Sequence, residues 1–584
     1  MMNYNDNFLY SSVFINRLET LGVTEAVISP GSRNTPLIAA LDANEKINKT
    51  VILDERSAAF FALGVAKSTD NPVLIVTTSG TAVAELYPAI VEAYQSRIPL
   101  IICSADRPPE LLNCGENQTI NQDNIFGNHI RGYFYFNDLK PNIETIDNLI
   151  ERTTKCFNIS KYNNKGPVHV NFPFSKPLEP DNYNIELQEI FIEYINSKIS
   201  LNTSNSNELT ECQKVELSEL LYEFKNYKKG LFIIGGGDYN ENFYSTIYSL
   251  SKKLGFLIYA DILSSFRFNH SNDQGILLNN LPFLLEDKAN EKIISPDIIV
   301  QFGRTPINKK ILELFEKTKS KKILINRFGD LFDPSKTVET IYSVCGNTFA
   351  DFALSFFDSF EQSTFHDDFK TLIELNKKID SSKLSELKNY PFTFEGNIFK
   401  HISEKTHTDI SIVVSNSMPI RYLELFALQK NSKNKIFCNR GASGIDGNTA
   451  TSAGITYSHG KPSLFITGDL AFLHDIGSLM YIKQLNLPIC IIIVDNNGGG
   501  IFNMLPISKN KKLLSPYFIT PHNQNLRELT KAFGLEYKLI DSKEKLDKSI
   551  SMFIEIKMPI VLHIKTDIQS STKYLEQLKK NIVG

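Results

Sequence analysis

One carboxylate and one amide, Asp469 and Asn496, stand where two apolar runs stop at small polar residues. Ser463–Thr467 leads into Gly468-Asp469-Leu470, and Leu487–Val494 leads into Asp495-Asn496-Asn497-Gly498-Gly499-Gly500-Ile501-Phe502. An apolar run of this kind, bounded by turn residues, reads as a buried strand of a parallel sheet. The carboxyl ends of such strands face a ligand crevice. The two residues are separated by about one strand–helix–strand unit, so their side chains can converge on one hard cation. Oxygen-only ligation with little charge suits Mg²⁺ that also holds a diphosphate. Taken singly, each residue reads as an ordinary Asx turn. The pair in this order, with glycines clearing space behind it, reads as a metal anchor.

A second set of polar turns lies near the N-terminus. Ser29-Pro-Gly31-Ser32-Arg33 is a strand end, a turn and a helix start, which offers backbone N–H groups, a hydroxyl and a guanidinium to an anion. Asp54-Glu55-Arg56 opens an apolar helix of small residues, where a glutamate has a raised pKa and can exchange a proton with a ligand nitrogen. The competing reading of Glu55 is a helix-terminal charge favoured by the dipole. Thr77-Thr-Ser-Gly80-Thr adds a third turn, and Arg107, Asn117 and Gln118 can face one pocket with it.

The elements that must position these groups alternate. Helix is expected over Tyr10–Leu21, Thr35–Ala43 and Ala82–Ala93, and strand over Glu25–Ser29, Val73–Thr77, Pro99–Cys103 and Gly166–Pro173. Alternation of this kind implies a doubly wound parallel sheet. Similar strands recur at Gly230–Gly237, Pro296–Gly303 and Lys322–Asn326, and a charged helix is expected over Asp367–Leu387. The expected fold is therefore α/β: three Rossmann-like domains with parallel sheets flanked by helices, over residues 1–180, 212–355 and 390–584. The polar stretch Asn196–Glu211 reads as a linker. Gly235-Gly-Gly237 lacks the full G-x-G-x-x-G spacing and reads as a tight strand–helix turn rather than a dinucleotide site.

At 584 residues, with 42% hydrophobic residues and a net charge of −3, the chain is a soluble globular protein of several domains. No basic patch points to nucleic acid, and no apolar run is long enough to cross a membrane. Its seven cysteines form no CxxC pair, which excludes a disulfide framework and fits the cytoplasm. The opening residues Met1–Asp6 lack the marks of a signal peptide.

Together these motifs resemble the thiamine diphosphate-dependent enzymes. In that family one domain supplies a glutamate to the cofactor's aminopyrimidine and another binds its diphosphate through Mg²⁺. The family's Gly-Asp-Gly…Asn-Asn motif stands here as Gly468-Asp469-Leu470…Asn496-Asn497, with Leu470 departing from the usual glycine. Within the family, Ser29–Arg33, Asp54–Arg56, Asp106–Leu111, Asn439–Gly447 and Asn496–Gly499 are similar to the 2-succinyl-5-enolpyruvyl-6-hydroxy-3-cyclohexene-1-carboxylate synthases of menaquinone biosynthesis. The resemblance implies decarboxylation of 2-oxoglutarate and 1,4-addition of the succinyl-semialdehyde unit to isochorismate. It implies thiamine diphosphate and Mg²⁺ as cofactors, with Mn²⁺ able to substitute, and a homodimer or homotetramer with sites between subunits. It makes Glu55 the catalytic acid–base group and Asp469, Asn496 and Gly498 the metal ligands. Ser443 and Ile445 would contact the cofactor. Ser32, Arg33, Arg107, Asn117, Gln118, Lys309, Ser417, Arg421, Arg440 and Phe502 would bind substrate. At Lys310 the family often carries arginine, which leaves its role open. An acetolactate synthase-like enzyme or 2-oxo acid decarboxylase is the alternative, although pyruvate-type substrates need fewer cations than this arginine set provides. A non-catalytic nucleotide-binding protein is the third reading, disfavoured by the intact Glu55, Asp469 and Asn496.

Overall fold

The computed structural model describes residues 6–137, 142–180, 194, 208–269, 275–406 and 410–583. The chain builds three parallel sheets in sequence. The first contains β1 (Glu25–Ile28), β2 (Asn48–Val51), β3 (Val73–Thr77), β4 (Leu100–Asp106), β5 (Gly132–Tyr135) and β6 (Pro167–Pro173), in the order β2-β1-β3-β4-β6-β5. The second contains β7 (Gly230–Ile234), β8 (Leu257–Ala260), β9 (Ile298–Phe302), β10 (Lys321–Ile325) and β11 (Thr340–Tyr342), in the order β11-β10-β9-β7-β8. The third contains β12 (Ser411–Val414), β13 (Lys435–Phe437), β14 (Ser463–Gly468), β15 (Ile489–Asp495), β16 (Glu536–Leu539) and β17 (Ile560–Lys565), in the order β13-β12-β14-β15-β17-β16.

The first and third sheets have the same strand order, and the second repeats its first four places. In such a sheet the chain reverses direction of winding between the first and third strands, and the crevice opens at their carboxyl ends. These switch points fall at β1/β3 in the first sheet and β12/β14 in the third. Helices cover both faces, so the central strands are buried throughout and read as continuous apolar runs. All seven residues of β15, Ile489–Asp495, are buried.

The expected Ala82–Ala93 helix is two helices, Thr81–Glu85 and Tyr87–Ser96, because Pro88 in the first turn of the second cannot donate its missing N–H to the first. Strand β4 runs three residues beyond Cys103 to Asp106. Residues 196–207 of the expected linker lie outside the described residues. Thr210, near its end, caps the helix Glu211–Phe224 through a capping box. At Gly235 an added Cβ would lie 1.7 Å from the Arg304 carbonyl oxygen, and at Gly303 2.6 Å from the Gly236 oxygen. The central switch point is therefore closed by its own backbone, as a tight turn requires.

Among the contacts that bind the blocks together are a helix crossing and a buried ion pair. The helix Glu55–Thr69 crosses the helix Asn448–His459 through buried small residues, Ala58, Ala62 and Ala66 against Ala450 and Ala453. Arg267, after β8, is buried against Glu424 in the helix Met418–Phe426. Glu424 also accepts hydrogen bonds from the Tyr259 hydroxyl (2.7 Å) and the Ile262 N–H (2.6 Å). Such full pairing is what makes two buried charges tolerable.

Candidate active site

At the third sheet's switch point, β12 is followed by Ser415-Asn416-Ser417 and β14 by Asp469, which opens the helix Asp469–His474. Asp469 is buried, and its carboxylate accepts the backbone N–H of Leu470 and of Gly498, both at 2.7 Å. Gly498 follows β15 and holds φ at +145°. An added Cβ there would meet the Ile519 oxygen at 2.3 Å, so glycine is required. Asn496 donates from its amide nitrogen to Glu395 (3.0 Å), while its Oδ1 is buried with no partner. Asp469, Asp495 and His522 present ligand atoms that all lie within 4.8 Å of one another. His522 Nε2 sits 3.3 Å from Asp469 and 3.6 Å from Asp495.

These groups suit a divalent cation. An orphaned amide oxygen beside two carboxylates is an acceptor set short of a positive partner. Burial and the neighbouring Asp495 push the Asp469 carboxyl well above the usual carboxylate range. Asp495 is also buried, but its bonds to His563 (2.8 Å) and the Asn497 N–H hold it below that range. His563 in turn meets the Tyr537 hydroxyl at 2.7 Å.

Beside this cluster lies a cationic one. Arg440 donates to Asn416 Oδ1 at 3.1 Å, and Arg421 donates to the Ser417 carbonyl at 2.6 Å. Burial, and then the charge of Arg440, lower the pKa of Arg421. Two guanidinium groups held together in this way form a ready site for an anion. Ser417 and Ser443 both adopt positive φ, at +71° and +63°. Asn416 ties the strand end to the Asn439–Gly447 loop by donating to the carbonyls of Asn439 and Gly444, each at 2.7 Å. Ile445 is half-buried in that loop, and Phe502 packs edge-on to Phe518.

The first sheet's switch point gathers another pair. Arg33 is buried and donates to the Phe174 carbonyl at 2.9 Å; burial, with Arg107 nearby, lowers its pKa. Arg107 donates to Ser79 Oγ and to the Asn117 carbonyl (2.6 Å), and its buried Nε has no partner. Gln118 donates to the Ser79 carbonyl at 3.0 Å. Arg33 and Arg107 are thus buried together, with Asn117 joining through its backbone carbonyl and Gln118 through Ser79, whereas Ser32, like Asn117 and Gln118, is exposed.

Glu55 sits in the first turn of the Glu55–Thr69 helix because Asp54 caps it, accepting from the N–H groups of Arg56 and Ser57. Burial raises its pKa. Its carboxylate has no side-chain partner among the described residues, although the flanking backbone N–H groups of Leu53 and Asp54 bond the Tyr481 hydroxyl at 2.9 and 3.1 Å. Lys309 is exposed and pairs with Glu313 at 3.8 Å; Lys310 pairs with Glu286 at 3.3 Å and with Glu313. No hydrogen bond among the described residues joins the Arg33–Arg107 group to the Asp469–Asn496 group.

Sequence reasoning passed over Asp495, His522 and Glu395. Asp495 was visible beside Asn496, but a carboxylate before an Asn pair carries no signal by itself. His522 and Glu395 arrive from distant parts of the chain.

Two family domains match the chain: the N-terminal TPP binding domain of thiamine pyrophosphate enzymes over residues 10–125, and the C-terminal TPP binding domain over residues 424–564. A 2-succinyl-5-enolpyruvyl-6-hydroxy-3-cyclohexene-1-carboxylate synthase from Crocosphaera subtropica is 33% identical, over 99% of this chain and 98% of its own length. One from Bacillus pumilus is 32% identical, over 96% of this chain and 95% of its own. The crystal structure of benzoylformate decarboxylase from Polynucleobacter necessarius shares the fold, with a TM-score of 0.68 at 15% identity, over 96% of this chain and 98% of that one. Full-length likeness at this level, on a fold that places Asp469 and Arg33 at matching switch points, shows that the chain belongs to the 2-succinyl-5-enolpyruvyl-6-hydroxy-3-cyclohexene-1-carboxylate synthase family and is a thiamine diphosphate-dependent enzyme.

Proposed function

We propose that the protein joins 2-oxoglutarate to isochorismate with loss of CO₂, giving 2-succinyl-5-enolpyruvyl-6-hydroxy-3-cyclohexene-1-carboxylate for menaquinone biosynthesis. The observation that carries this reading is the pair of cationic groups, Arg33 with Arg107 and Arg421 with Arg440, at the two switch points. The substrates bring several carboxylates between them, and paired guanidinium groups hold carboxylates in bidentate fashion. Each such contact contributes roughly 1.5–3 kcal/mol.

Thiamine diphosphate, when bound, supplies the nucleophilic carbon and the electron sink on which a 2-oxo acid loses CO₂. Asp469, Asn496 and the Gly498 carbonyl would hold Mg²⁺, or Mn²⁺, with the diphosphate. Glu395 accepts from the Asn496 amide nitrogen, which leaves the Asn496 oxygen free to serve as a ligand. Ser443 and Ile445 shape the pocket between diphosphate and pyrimidine. Glu55 exchanges a proton with a pyrimidine ring nitrogen, a task favoured by its raised pKa. Ser32, Asn117, Gln118, Ser417, Phe502 and Lys309 complete the substrate contacts. The C1–C2 bond of 2-oxoglutarate breaks as CO₂ leaves, and the remaining four-carbon unit forms the new bond to the isochorismate ring.

Glu55 acts in the site of a second subunit, in a homodimer or homotetramer. The neighbours Val51 and Leu53 are 61% and 65% exposed, an apolar surface that a partner would cover.

The test supplies Mg²⁺ and thiamine diphosphate with either 2-oxoglutarate or pyruvate, with and without isochorismate, and identifies products by mass spectrometry. The expected adduct forms only from 2-oxoglutarate with isochorismate. Consumption of pyruvate but not 2-oxoglutarate would overturn the assignment in favour of an acetolactate synthase-like enzyme.

A further inference from the structure

We infer that Glu92, charge-balanced by Lys67, is a positioning residue for the Asn439–Ser443 loop, so that the N-terminal domain aims Arg440. Glu92 lies in the helix Tyr87–Ser96 and is 3% exposed. Its two oxygens accept consecutive backbone N–H groups of the loop, Gly441 at 2.8 Å and Ala442 at 2.7 Å. Ser96 Oγ donates to the same carboxylate at 2.7 Å. Lys67, in the last turn of the helix that begins at Glu55, is 3.9 Å from Glu92. It donates to the Cys438 carbonyl (2.8 Å) and to Asn439 Oδ1 (2.7 Å), gripping the loop immediately before Arg440. From the central domain, Arg304 donates to the Gln95 carbonyl (2.6 Å) and the Arg440 carbonyl (3.5 Å).

A buried ion pair that served only to join two domains would direct its charges at each other. Here they stand at the edge of ion-pair distance, and both direct their hydrogen bonds into one loop. The two N–H groups on one carboxylate fix the peptide planes that follow Arg440, and Lys67 holds the chain just before it, so the Arg440 Cα is clamped from both sides and the direction of its side chain is set. The fit is close: a Cβ at Gly441 would lie 2.6 Å from Ser96 Oγ and 2.7 Å from the Glu92 carbonyl oxygen. The loop's other flank is held by Asn416, which also receives the Arg440 guanidinium. Arg440 is thus aimed by Asn416 of its own domain and by Glu92 and Lys67 across the interface, with Arg304 of the central domain on its carbonyl.

That Arg440 meets substrate rests on the function proposed above; the anchoring of the loop does not. The test compares wild-type holoprotein with Glu92→Gln, Gly441→Ala and the double variant Lys67→Met/Glu92→Gln. The readouts are KM and kcat for both substrates, thermal midpoint, and hydrogen exchange of the 438–446 segment. A glutamine can accept only one of the two N–H groups. Glu92→Gln is expected to speed exchange at Gly441 and Ala442 and to raise the KM of one substrate about tenfold, the effect of losing one such bond, with little change in kcat. Gly441→Ala, which displaces the loop without touching a charge, should give the same pattern even if Glu92→Gln does not fold. The double variant removes both buried charges; it should regain thermal midpoint but not KM or loop protection. Recovery of KM in the double variant would reduce the pair to charge balance and overturn the proposal. So would a Glu92→Gln protein with unchanged exchange and KM, or one whose losses fall on thermal midpoint and kcat alone. If the wild type turns over neither substrate while Glu92→Gln still loosens the loop, the functional reading fails and the positioning role stands.

Discussion

The crossing of the helices Glu55–Thr69 and Asn448–His459 is held at a distance that only glycine permits, and its cost when disturbed can be worked out. A Cβ at Gly64 would lie 2.1 Å from the Thr451 carbonyl oxygen, and one at Gly454 would lie 2.0 Å from the Phe61 oxygen. A carbon approaches a carbonyl oxygen to about 3.3 Å, so alanine at either position must part the helices by roughly 1.2 Å. A gap of about 1 Å forfeits up to half of the contact energy along the seam. The obstacle is backbone, which cannot rotate away, so the cost belongs near the top of the usual overpacking range, about 3 kcal/mol. Alanine regains about 1 kcal/mol of helix propensity over glycine, leaving a net loss of roughly 2 kcal/mol for Gly64→Ala or Gly454→Ala. One separation relieves both clashes. The double variant is therefore expected to cost no more than a single one, not the additive value of about 4 kcal/mol. Because a chain of several domains need not unfold in one step, the measurement combines urea transitions with hydrogen exchange localised to the two helices. Activity should fall in parallel, since Glu55 and Lys67 ride on opposite ends of the displaced helix. Additive losses, or a Gly64→Ala loss below about 0.5 kcal/mol, the range of a neutral surface change, would refute the reasoning.

Glu55→Gln should keep the wild-type circular dichroism spectrum and lose activity by about 10²–10⁴-fold, the range of general acid–base catalysis; full activity would contradict its role. Glu395→Ala frees the Asn496 amide to turn, and Mg²⁺ affinity measured by calorimetry with thiamine diphosphate should fall about 10- to 100-fold. Arg440→Lys keeps the charge but loses the planar fork, so one substrate's KM should rise about tenfold, with wild-type kinetics as the refuting result. Asp261 is buried, and burial followed by the charge of Glu424 raises its pKa to about 7. Between about pH 4 and 7 the folded state therefore holds a proton that the unfolded chain has released, and this group makes stability fall as pH rises. Urea transitions of Asp261→Asn across that window should show a shallower decline than wild type; an unchanged slope would refute the contribution.

The polar strand ends were legible in the sequence because they are local signals. An apolar run that stops at Gly468-Asp469 or Ser29-Pro-Gly needs no distant partner to be recognised. Edge strands with too few apolar residues to form a run were not legible: β2 is Asn-Lys-Thr-Val and β16 is Glu-Tyr-Lys-Leu, both exposed or half-buried over most of their length. Strand order was hidden as well, since pairing between β1 and β3 or β12 and β14 is not local. Glu92 shows the limit most clearly. On an amphipathic helix a lone glutamate reads as part of a solvated face, yet it is buried against N–H groups some 350 positions later. Only the tertiary packing reveals what its carboxylate is for.

The shared strand order of the first and third sheets explains how one chain can divide a cofactor's chemistry. Each sheet opens a crevice at the same topological place, and each crevice received a different set of polar ends. The third took Asp469 and Asn496, acceptors that could hold a cation, with Arg421 and Arg440 beside them. The first took Arg33 and Arg107, with Glu55 at the edge. Neither set bonds to the other among the described residues, yet the proposed reaction, with a metal-bound diphosphate and a proton-exchanging carboxyl, needs both. Glu55, with no side-chain partner among the described residues, follows exposed Val51 and Leu53, while its helix is locked against the third domain through the Gly64–Gly454 crossing. On the proposed reading, the same helix presents Glu55 to one site and, through Lys67, steadies the Arg440 loop of another. Its rigidity is then a functional requirement as well as a packing outcome.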